Sequence, residues 1–552
     1  MDISSHESLI RKYALANAVE HDGVAQAKTV LGKVMAEKPE LRPQILQIRS
    51  LIEKAVIEIN RMPLAKQKQM LEQMGGYTPP QRVEKKGLPE LELGREKFVV
   101  RFAPNPDGAL HLGNARPAVL SDEYAKKYKG RLILRFDDTD PKVKIPEKRF
   151  YSWIREDLKW LKVRVNQEIT ASRRLKHYYK IAEKLISVGG AYVCVCTSEH
   201  WKKLRDNSRA CPCRSLDTKT NMKRWKKMLK HSYKEGQAVL RIKTELDAKN
   251  PAVRDWPGFR IVDKPRHPLV KAKVWPLYNF ASAVDDCLTG VTHIFRGQEH
   301  STNEVKQRYL YQHLRWNYPV VITLGRFSLA DMVLSKSQIR EGIEKRKFRS
   351  WDDPKLGTLR TLRRRGFQPE SIRQIIVDVG PKPSDITISF ENLSSYNRKI
   401  IDSMANRYFF IPNPKKIEVK GLKLKSARAP LHPDDKKRGY RSFSLTSTFF
   451  IDTKDFDTYK GLEVRLKDLC NIKLGEKSSY TTTPSKSTPK IQWVPAKHLN
   501  VTVIMPGREI KGYGEVNLKK AKVGDIVQFE RFGFVRIEKI SSKNVTVIFA
   551  HE

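Results

Sequence analysis

One stretch of this chain leaves few folds open to it. The apolar run Phe98-Val99-Val100-Arg101-Phe102 reads as a strand, and the Pro/Gly-rich turn Ala103-Pro104-Asn105-Pro106-Asp107-Gly108 follows it. His111-Leu112-Gly113-Asn114 then opens a helix predicted from about Asn114 to Lys129. A strand, a tight turn and a helix N-terminus together present backbone N–H groups and a positive dipole end to an anion. His111 adds a donor at that mouth, and Gly113 lets a nucleotide approach the backbone closely. Far downstream, Val333-Leu334-Ser335-Lys336-Ser337 is a polar loop with one lysine between two serines, suited to holding a triphosphate.

The rest of the chain sorts by texture. Strands alternate with helices from Phe98 to about Ile186, the pattern of a parallel α/β sheet, and the pattern resumes from about Lys271 to Gln338. Ahead of it, Ile45, Ile48, Ile52, Ala55 and Ile59 recur at helical steps, Pro63 ends the run, and Gly75-Gly76 with Pro79-Pro80 marks a linker. Residues 340–395 return to helical periodicity and carry Arg360, Arg363, Arg364 and Arg365. Beyond Tyr408, short strands such as Lys416–Val419, Ser442–Leu445, Val501–Ile504 and Ile526–Phe529 predict antiparallel barrels. The Ser/Thr/Lys-rich stretch Lys477–Lys490 reads as a mobile loop.

The 106 Lys plus Arg stand against 61 Asp plus Glu, a net charge of +45. Such an excess points to a polyanion, with nucleic acid the first candidate, but it is spread too evenly to locate a footprint. Met1–Glu20 lacks the apolar core of a signal peptide, and no apolar run approaches the ~18 residues of a membrane span. A soluble cytoplasmic protein is expected.

In an open parallel sheet, ligands sit beyond the carboxyl ends of the strands. Three residues are expected there: Arg101 after the first strand, Asp137 after Arg131–Phe136, and Arg296 after Val291–Phe295. An aspartate that can hold an ammonium, between two arginine forks, complements an acidic amino acid. The alternative for Arg296 is an ordinary salt bridge with Asp285, Asp286 or Glu299. Cys194-Val195-Cys196 and Cys211-Pro212-Cys213 are two close thiol pairs. In a reducing compartment they favour tetrahedral Zn2+ with no open position, against the alternatives of four buried or redox-active thiols or a site emptied of metal. Cys287 and Cys470 read as small apolar residues. Trp201 and Trp225, among many lysines and arginines, suit either RNA stacking or a core.

Taken with their flanks, the two segments resemble the two motifs of class I aminoacyl-tRNA synthetases. Arg101–Gly108, Leu134-Arg135-Phe136-Asp137-Asp138-Thr139-Asp140-Pro141 and Trp275-Pro276-Leu277-Tyr278-Asn279-Phe280-Ala281 resemble the glutamyl/glutaminyl branch, of the archaeal/eukaryotic type, from about Glu96 onward. The chain departs from the general motif at Asn114, where His is usual, and at Val333, where Lys is usual. The resemblance implies a multidomain α/β architecture. Its expected parts are a helical appendage and linker (1–95) and a Rossmann-like catalytic domain in two halves (96–189 and 271–338). An acceptor-stem insertion with the cysteines (190–270) divides those halves, and a helical connector (339–405) leads to an anticodon-binding β-barrel region (406–552).

The implied activity is ATP-dependent formation of glutamyl-adenylate and transfer of glutamate to tRNA(Glu), by a monomer that needs no membrane. His111 and Lys336 would be catalytic, stabilising the displaced phosphates. Asn105, Asp107, His111–Pro117 (Gly113 and Asn114 among them), Arg326, Phe327, Ser335, Lys336 and Ser337 match ATP positions, with Mg2+ on the phosphates. Arg101, Asp137, Tyr278 and Arg296 match amino-acid positions, and Cys194, Cys196, Cys211 and Cys213 match a zinc site found in some glutamyl enzymes. Phe295-Arg296-Gly297-Gln298-Glu299 resembles glutamyl enzymes, in which an arginine meets the side-chain carboxylate; the glutaminyl branch has a neutral residue there. Three other readings stand beside this one: a glutaminyl enzyme, a non-catalytic tRNA-binding scaffold, and a small-molecule nucleotidyltransferase. Whether tRNA(Gln) is also charged stays open.

Overall fold

The N-terminal apolar stripe closes into a core of its own. The computed structural model describes residues 6–21, 23–77, 87–94 and 97–552, with residues 1–85 forming one compact unit and 86–552 another. The first unit holds α1 (Glu7–Glu20), α2 (Ala27–Glu37), α3 (Ile45–Asn60) and α4 (Leu64–Gln73). Ile48, Ile52 and Ile59 are buried with Ile10, Leu15, Val30 and Val34. Ile45, in the first turn of α3, is 43% exposed, and Val56 completes the face instead. Pro79 and Pro80 of the predicted linker lie outside the described residues.

In the second unit, β1 (Val99–Phe102), α5 (Leu112–Lys127), β2 (Arg131–Phe136), α6 (Lys148–Trp160), β3 (Gln167–Thr170) and α7 (Leu175–Ser187) alternate as read. The helix after β1 starts two residues earlier than predicted, because His111 is extended (φ −123°, ψ 171°) and caps it. It also ends two residues earlier, where Lys129 turns left-handed at φ 51° and Gly130 N–H closes on Ala125 O at 2.8 Å.

A four-stranded antiparallel sheet follows: β4 (Ala191–Cys194), β5 (Val239–Ile242), β6 (Pro257–Ile261) and β7 (Val274–Pro276), with α8 (Ser198–Asp206) and α9 (Thr218–Leu229) between β4 and β5. Both tryptophans belong to its interior. Trp225 is fully buried beside Trp256, Phe259 and Trp275, and Trp201 lies under the Arg241 guanidinium, 3.4 Å from the ring centroid.

The chain then returns through α10 (Tyr278–Leu288), β8 (His293–Gly297), α11 (Ser301–Leu314) and β9 (Val320–Leu324). The large sheet has the order β3-β2-β1-β8-β9, every pair parallel, with Val100 opposite both Leu132 and His293. Crossover helices cover its centre, so the inner strands are buried on both faces, whereas the edge strands β3 and β9 are exposed or half-buried over most of their length.

Next come β10 (Phe327–Leu329), α12 (Lys336–Glu344), α13 (Leu359–Arg365), α14 (Pro369–Val379), β11 (Ile386–Ile388) and α15 (Phe390–Ile401). Most of the arginine run is structural. Arg360 pairs with Glu156 at 2.9 Å, Arg364 with Glu538 at 2.6 Å, and buried Arg365 donates to the carbonyls of Phe549 (3.0 Å) and Ala550 (2.6 Å). Arg363 is exposed.

Two seven-stranded sheets, around cores centred on Trp493 and on Phe529, and a two-stranded sheet of Ser426–Pro430 with Tyr440–Ser444 make up the C-terminal barrel-like region. The four predicted strands recur as Pro414–Lys420, Tyr440–Ser444, His498–Met505 and Ile526–Phe529. Pairing is mixed rather than wholly antiparallel. Val503 meets Val547 and Arg407 meets Gln528 in parallel ladders, where segments distant in sequence complete a sheet. Part of the predicted loop is ordered too: Ser478–Thr482 is a strand, its β-branched threonines suiting a pleated surface. Among the described residues no helix is long and apolar enough to cross a membrane.

Candidate active site

The carboxyl ends of β2, β1 and β8 lie side by side, and each delivers one predicted residue to a single cleft of about 990 Å³. Arg101 is on β1, Asp137 is the first residue past β2, and Arg296 is on β8. Tyr278 comes from the first turn of α10. Of the residues assigned above to ATP or the amino acid, all line this cleft except Leu112 and Ala115, on the buried face of α5, and Asp107 and Ser337, which bond Lys336 and Ser335.

A third segment joins the two motifs. Leu356-Gly357-Thr358 runs between them, with His111 bridged to Thr358 and Val333 to Leu356. Leu112 N–H donates to Gly357 O at 3.1 Å, and Gly357 N–H donates to Val333 O at 3.0 Å. Two glycines make room for this assembly. A Cβ on Gly108 would stand 2.7 Å from the Trp351 ring and 3.1 Å from the Lys336 side chain, and one on Gly113 would stand 2.9 Å from Phe327 O.

Lys336 begins α12 and reaches back to the first motif's turn, donating to Asn105 O and to Asp107 Oδ1, both at 2.8 Å. Burial pulls its ammonium below the ordinary lysine range, against the attraction of Asp107. The same burial, aided by the nearby Lys336 charge, takes His111 down to about 4. His111 is therefore neutral at pH 7 and can offer one N–H without adding charge. Asn114 Oδ1 accepts from His111 N–H at 3.2 Å, which fixes the entry to α5.

Sequence reasoning missed Arg135. Fully buried on β2, it holds Asp137 through Nε (2.6 Å), Asp286 through Nη1 (2.5 Å) and Ser282 through Nη2 (2.8 Å). Arg101 Nε also reaches Asp286, at 3.3 Å. Asp137 is consequently not a free carboxylate. One oxygen is strongly held, and Oδ2 keeps only a long 3.5 Å contact with Arg135. Burial raises its pKa, while Arg135 and Arg101 oppose the rise.

Arg296 has none of the three salt bridges that would make it ordinary. Asp285 is taken by Arg174 (2.7 Å) and Tyr178 (2.6 Å), Asp286 by Arg135 and Arg101, and no ion pair joins Arg296 to Glu299. Arg296 is 5% exposed, and its guanidinium bonds run to the neutral groups of Gln307 and Tyr318. Arg296 Nε, Asn105 Oδ1, His111 Nδ1 and Asn279 Oδ1, all in residues lining the cleft, are buried without a hydrogen-bond partner. Groups of that kind are rare in an interior unless a ligand completes them.

Comparison with known proteins agrees with the geometry. The family model for tRNA synthetases class I (E and Q), catalytic domain, matches residues 97–403. Models for the anti-codon binding domain of the same group match 405–488 and 490–538. The chain belongs to the class I tRNA synthetases of the E and Q group. Among curated relatives, the Glutamate--tRNA ligases of Pyrococcus furiosus and Pyrococcus abyssi are each 50% identical to it, over 99% of this chain and 100% of theirs. That of Thermococcus onnurineus is 48% identical over the same shares.

In this synthetase the cysteine pairs meet. Cys194 ends β4, Cys196 follows it, and Cys211 and Cys213 flank the short turn at Pro212; their Sγ atoms all lie within 4.8 Å of one another. The contacts Cys194–Cys211, Cys196–Cys211 and Cys196–Cys213 measure 3.5, 3.3 and 4.0 Å. Four sulfurs at ~2.3 Å around a tetrahedral Zn2+ stand ~3.8 Å apart, so the donor set fits that ion. Cys470 is buried in a C-terminal core and Cys287 is half-buried.

Proposed function

We propose that the chain activates L-glutamate with ATP, taken as its Mg2+ complex, and transfers it to the 3′ end of tRNA(Glu), with Arg296 selecting the substrate. The carrying observation is a buried guanidinium with no anionic partner among the described residues, facing a cleft otherwise equipped for ATP. A glutamate side-chain carboxylate neutralises it. A glutamine amide leaves it uncompensated, which disfavours the glutaminyl reading.

The α-carboxylate attacks the α-phosphorus of ATP, pyrophosphate leaves, and a ribose hydroxyl at the tRNA terminus then displaces AMP from the adenylate. No covalent enzyme intermediate is required, so the protein's work is alignment and charge stabilisation. Asp137, steadied by Arg135, receives the α-ammonium on Oδ2, and Arg101 meets a carboxylate. His111 donates a neutral hydrogen bond to the phosphates. Lys336 exchanges its contact with Asp107 for them, and Asn105, Gly113, Asn114, Arg326, Phe327, Ser335 and Ser337 complete the nucleotide's surroundings. The sheet of β4–β7 receives the acceptor end, and the C-terminal sheets read the anticodon. Aminoacylation of unfractionated tRNA with labelled glutamate and, in parallel, labelled glutamine tests this. Glutamate alone should be attached, and resolving the products shows whether tRNA(Gln) is also charged. Glutamine transfer would overturn the role of Arg296, and attachment of neither would favour a scaffold.

Cys194, Cys196, Cys211 and Cys213 would hold a structural Zn2+, which supplies cross-linking of β4 to the Pro212 turn rather than chemistry. The purified protein should contain about one zinc per chain by elemental analysis, as four thiolates leave no other ligand position. Cys211→Ser should lower that content and the thermal midpoint together. An unchanged midpoint in metal-free protein would make the thiols packing residues only.

A further inference from the structure

The acids whose charges act on Arg296, Asp286 and Glu304, are bonded elsewhere, as is Asp285. Asp285 holds Arg174, Asp286 holds Arg135 and Arg101, and Glu304 holds Arg308 at 2.7 Å. The groups that do hold Arg296 carry no charge. Gln307, on α11 and 1% exposed, accepts from Arg296 Nη2 at 3.1 Å through Oε1. Tyr318, just before β9, accepts from Arg296 Nη1 at 3.4 Å and donates its own hydroxyl to the same Gln307 oxygen at 2.8 Å. The amide must present its oxygen here, because an arginine offers only hydrogens. The ring is firmly seated: it packs edge-on against Tyr311 at 4.8 Å and beneath Arg308 at 4.4 Å.

We propose that Gln307 and Tyr318 are positioning residues for substrate selection, a charge-neutral clamp that aims the Arg296 guanidinium while leaving its charge for the substrate's side-chain carboxylate. The inference rests on the assignment of Arg296 to that carboxylate. A glutamate at 307 would form a better bond in the empty protein, since charge-assisted pairs are the stronger ones. It would also neutralise the cation before substrate arrives and place a like charge beside the incoming carboxylate. Glutamine at 307 fixes the direction of the fork without that loss. Burial holds the Tyr318 phenol up at about 12, so it stays neutral wherever the enzyme works. The desolvation of Arg296 is already met by the fold, and the carboxylate encounters a cation that needs no reorientation.

The experiment compares Gln307→Glu with Gln307→Met in aminoacylation of unfractionated tRNA. KM is measured separately for L-glutamate and ATP, and L-glutamine is tested as a competitive inhibitor. Gln307→Glu should raise the KM for glutamate by about 100-fold, with glutamine binding no weaker and the KM for ATP unchanged. Gln307→Met, which loosens the fork without neutralising it, should raise the glutamate KM by about 10-fold or less and keep the preference for glutamate over glutamine. An unaltered glutamate KM in Gln307→Glu, or equal effects of the two variants, overturns the clamp. Should Gln307→Glu not accumulate as folded protein, Tyr318→Phe decides: a raised glutamate KM at constant ATP KM supports the clamp, and an unchanged one overturns it. Arg296→Ala run alongside separates the two levels. If it fails to affect glutamate selectively, the assignment of Arg296 itself falls, whatever the clamp variants do.

Discussion

Replacing Arg296 by alanine raises the KM for glutamate by about 100-fold, equivalent to about 3 kcal/mol, and leaves the KM for ATP within about twofold. The size follows from the substrate's side-chain carboxylate losing a buried guanidinium that has no competing anionic partner among the described residues. The selectivity follows from position, since Arg296 sits on β8 while the nucleotide motifs lie around α5 and α12. The ligand-free variant should not be markedly less stable than the parent, because alanine removes a buried cation that lacks an anionic partner. Steady-state kinetics with each substrate varied, beside a thermal melt, reads all three. A parallel loss of glutamate and ATP use with a lowered midpoint would make Arg296 a structural residue.

Lys336→Met should lower kcat by about 100- to 1,000-fold with little change in the KM for glutamate, the size seen when one donor to developing charge is removed. Its ammonium bonds Asp107 and the Asn105 carbonyl, so the contact to phosphate replaces an existing one. Lys336→Arg should not restore the rate. The lysine is a compact charge threaded past Gly108 and Trp351, and a planar guanidinium does not fit that path. Single-turnover adenylate formation is the direct readout. A wild-type rate in Lys336→Met would remove this residue from the chemistry.

The sequence revealed the cleft more fully than its supports. Arg101, Asp137, Arg296, His111 and Lys336 were legible because strand ends and motif order place them. Arg135 carried a signal, a charged residue inside the apolar run Leu132–Phe136 of a strand paired on both sides. Gln307 offered a weaker one, a polar residue in step with Leu310 and Leu314 on the buried face of α11. Nothing local could announce Tyr318 as its partner, nor Leu356-Gly357-Thr358 as the bridge between motifs. Those depend on long-range register, as do the parallel ladders of the C-terminal sheets. The Ser478–Thr482 strand was hidden by its polarity, although its threonines favour a pleat. The arginine run gave no sign of its role, and three of its four members bond within the protein.

The pairing of β1 with β8 also sets a schedule. Val99 and Thr292, joined across that seam by a 2.9 Å hydrogen bond, are 193 residues apart in the chain. At a synthesis rate of about 5–20 residues per second, β1 waits some 10–40 seconds on the ribosome for its neighbour. Through that interval β1, β2 and β3 present an unpaired parallel edge, which invites wrong partners. The helical unit of residues 1–85, whose core is internal, has no such wait. The cleft that joins glutamate to tRNA therefore cannot close until β8 has followed β1, and its bridge at Leu356–Thr358 comes later still, so translation itself governs how long its apolar floor stands uncovered.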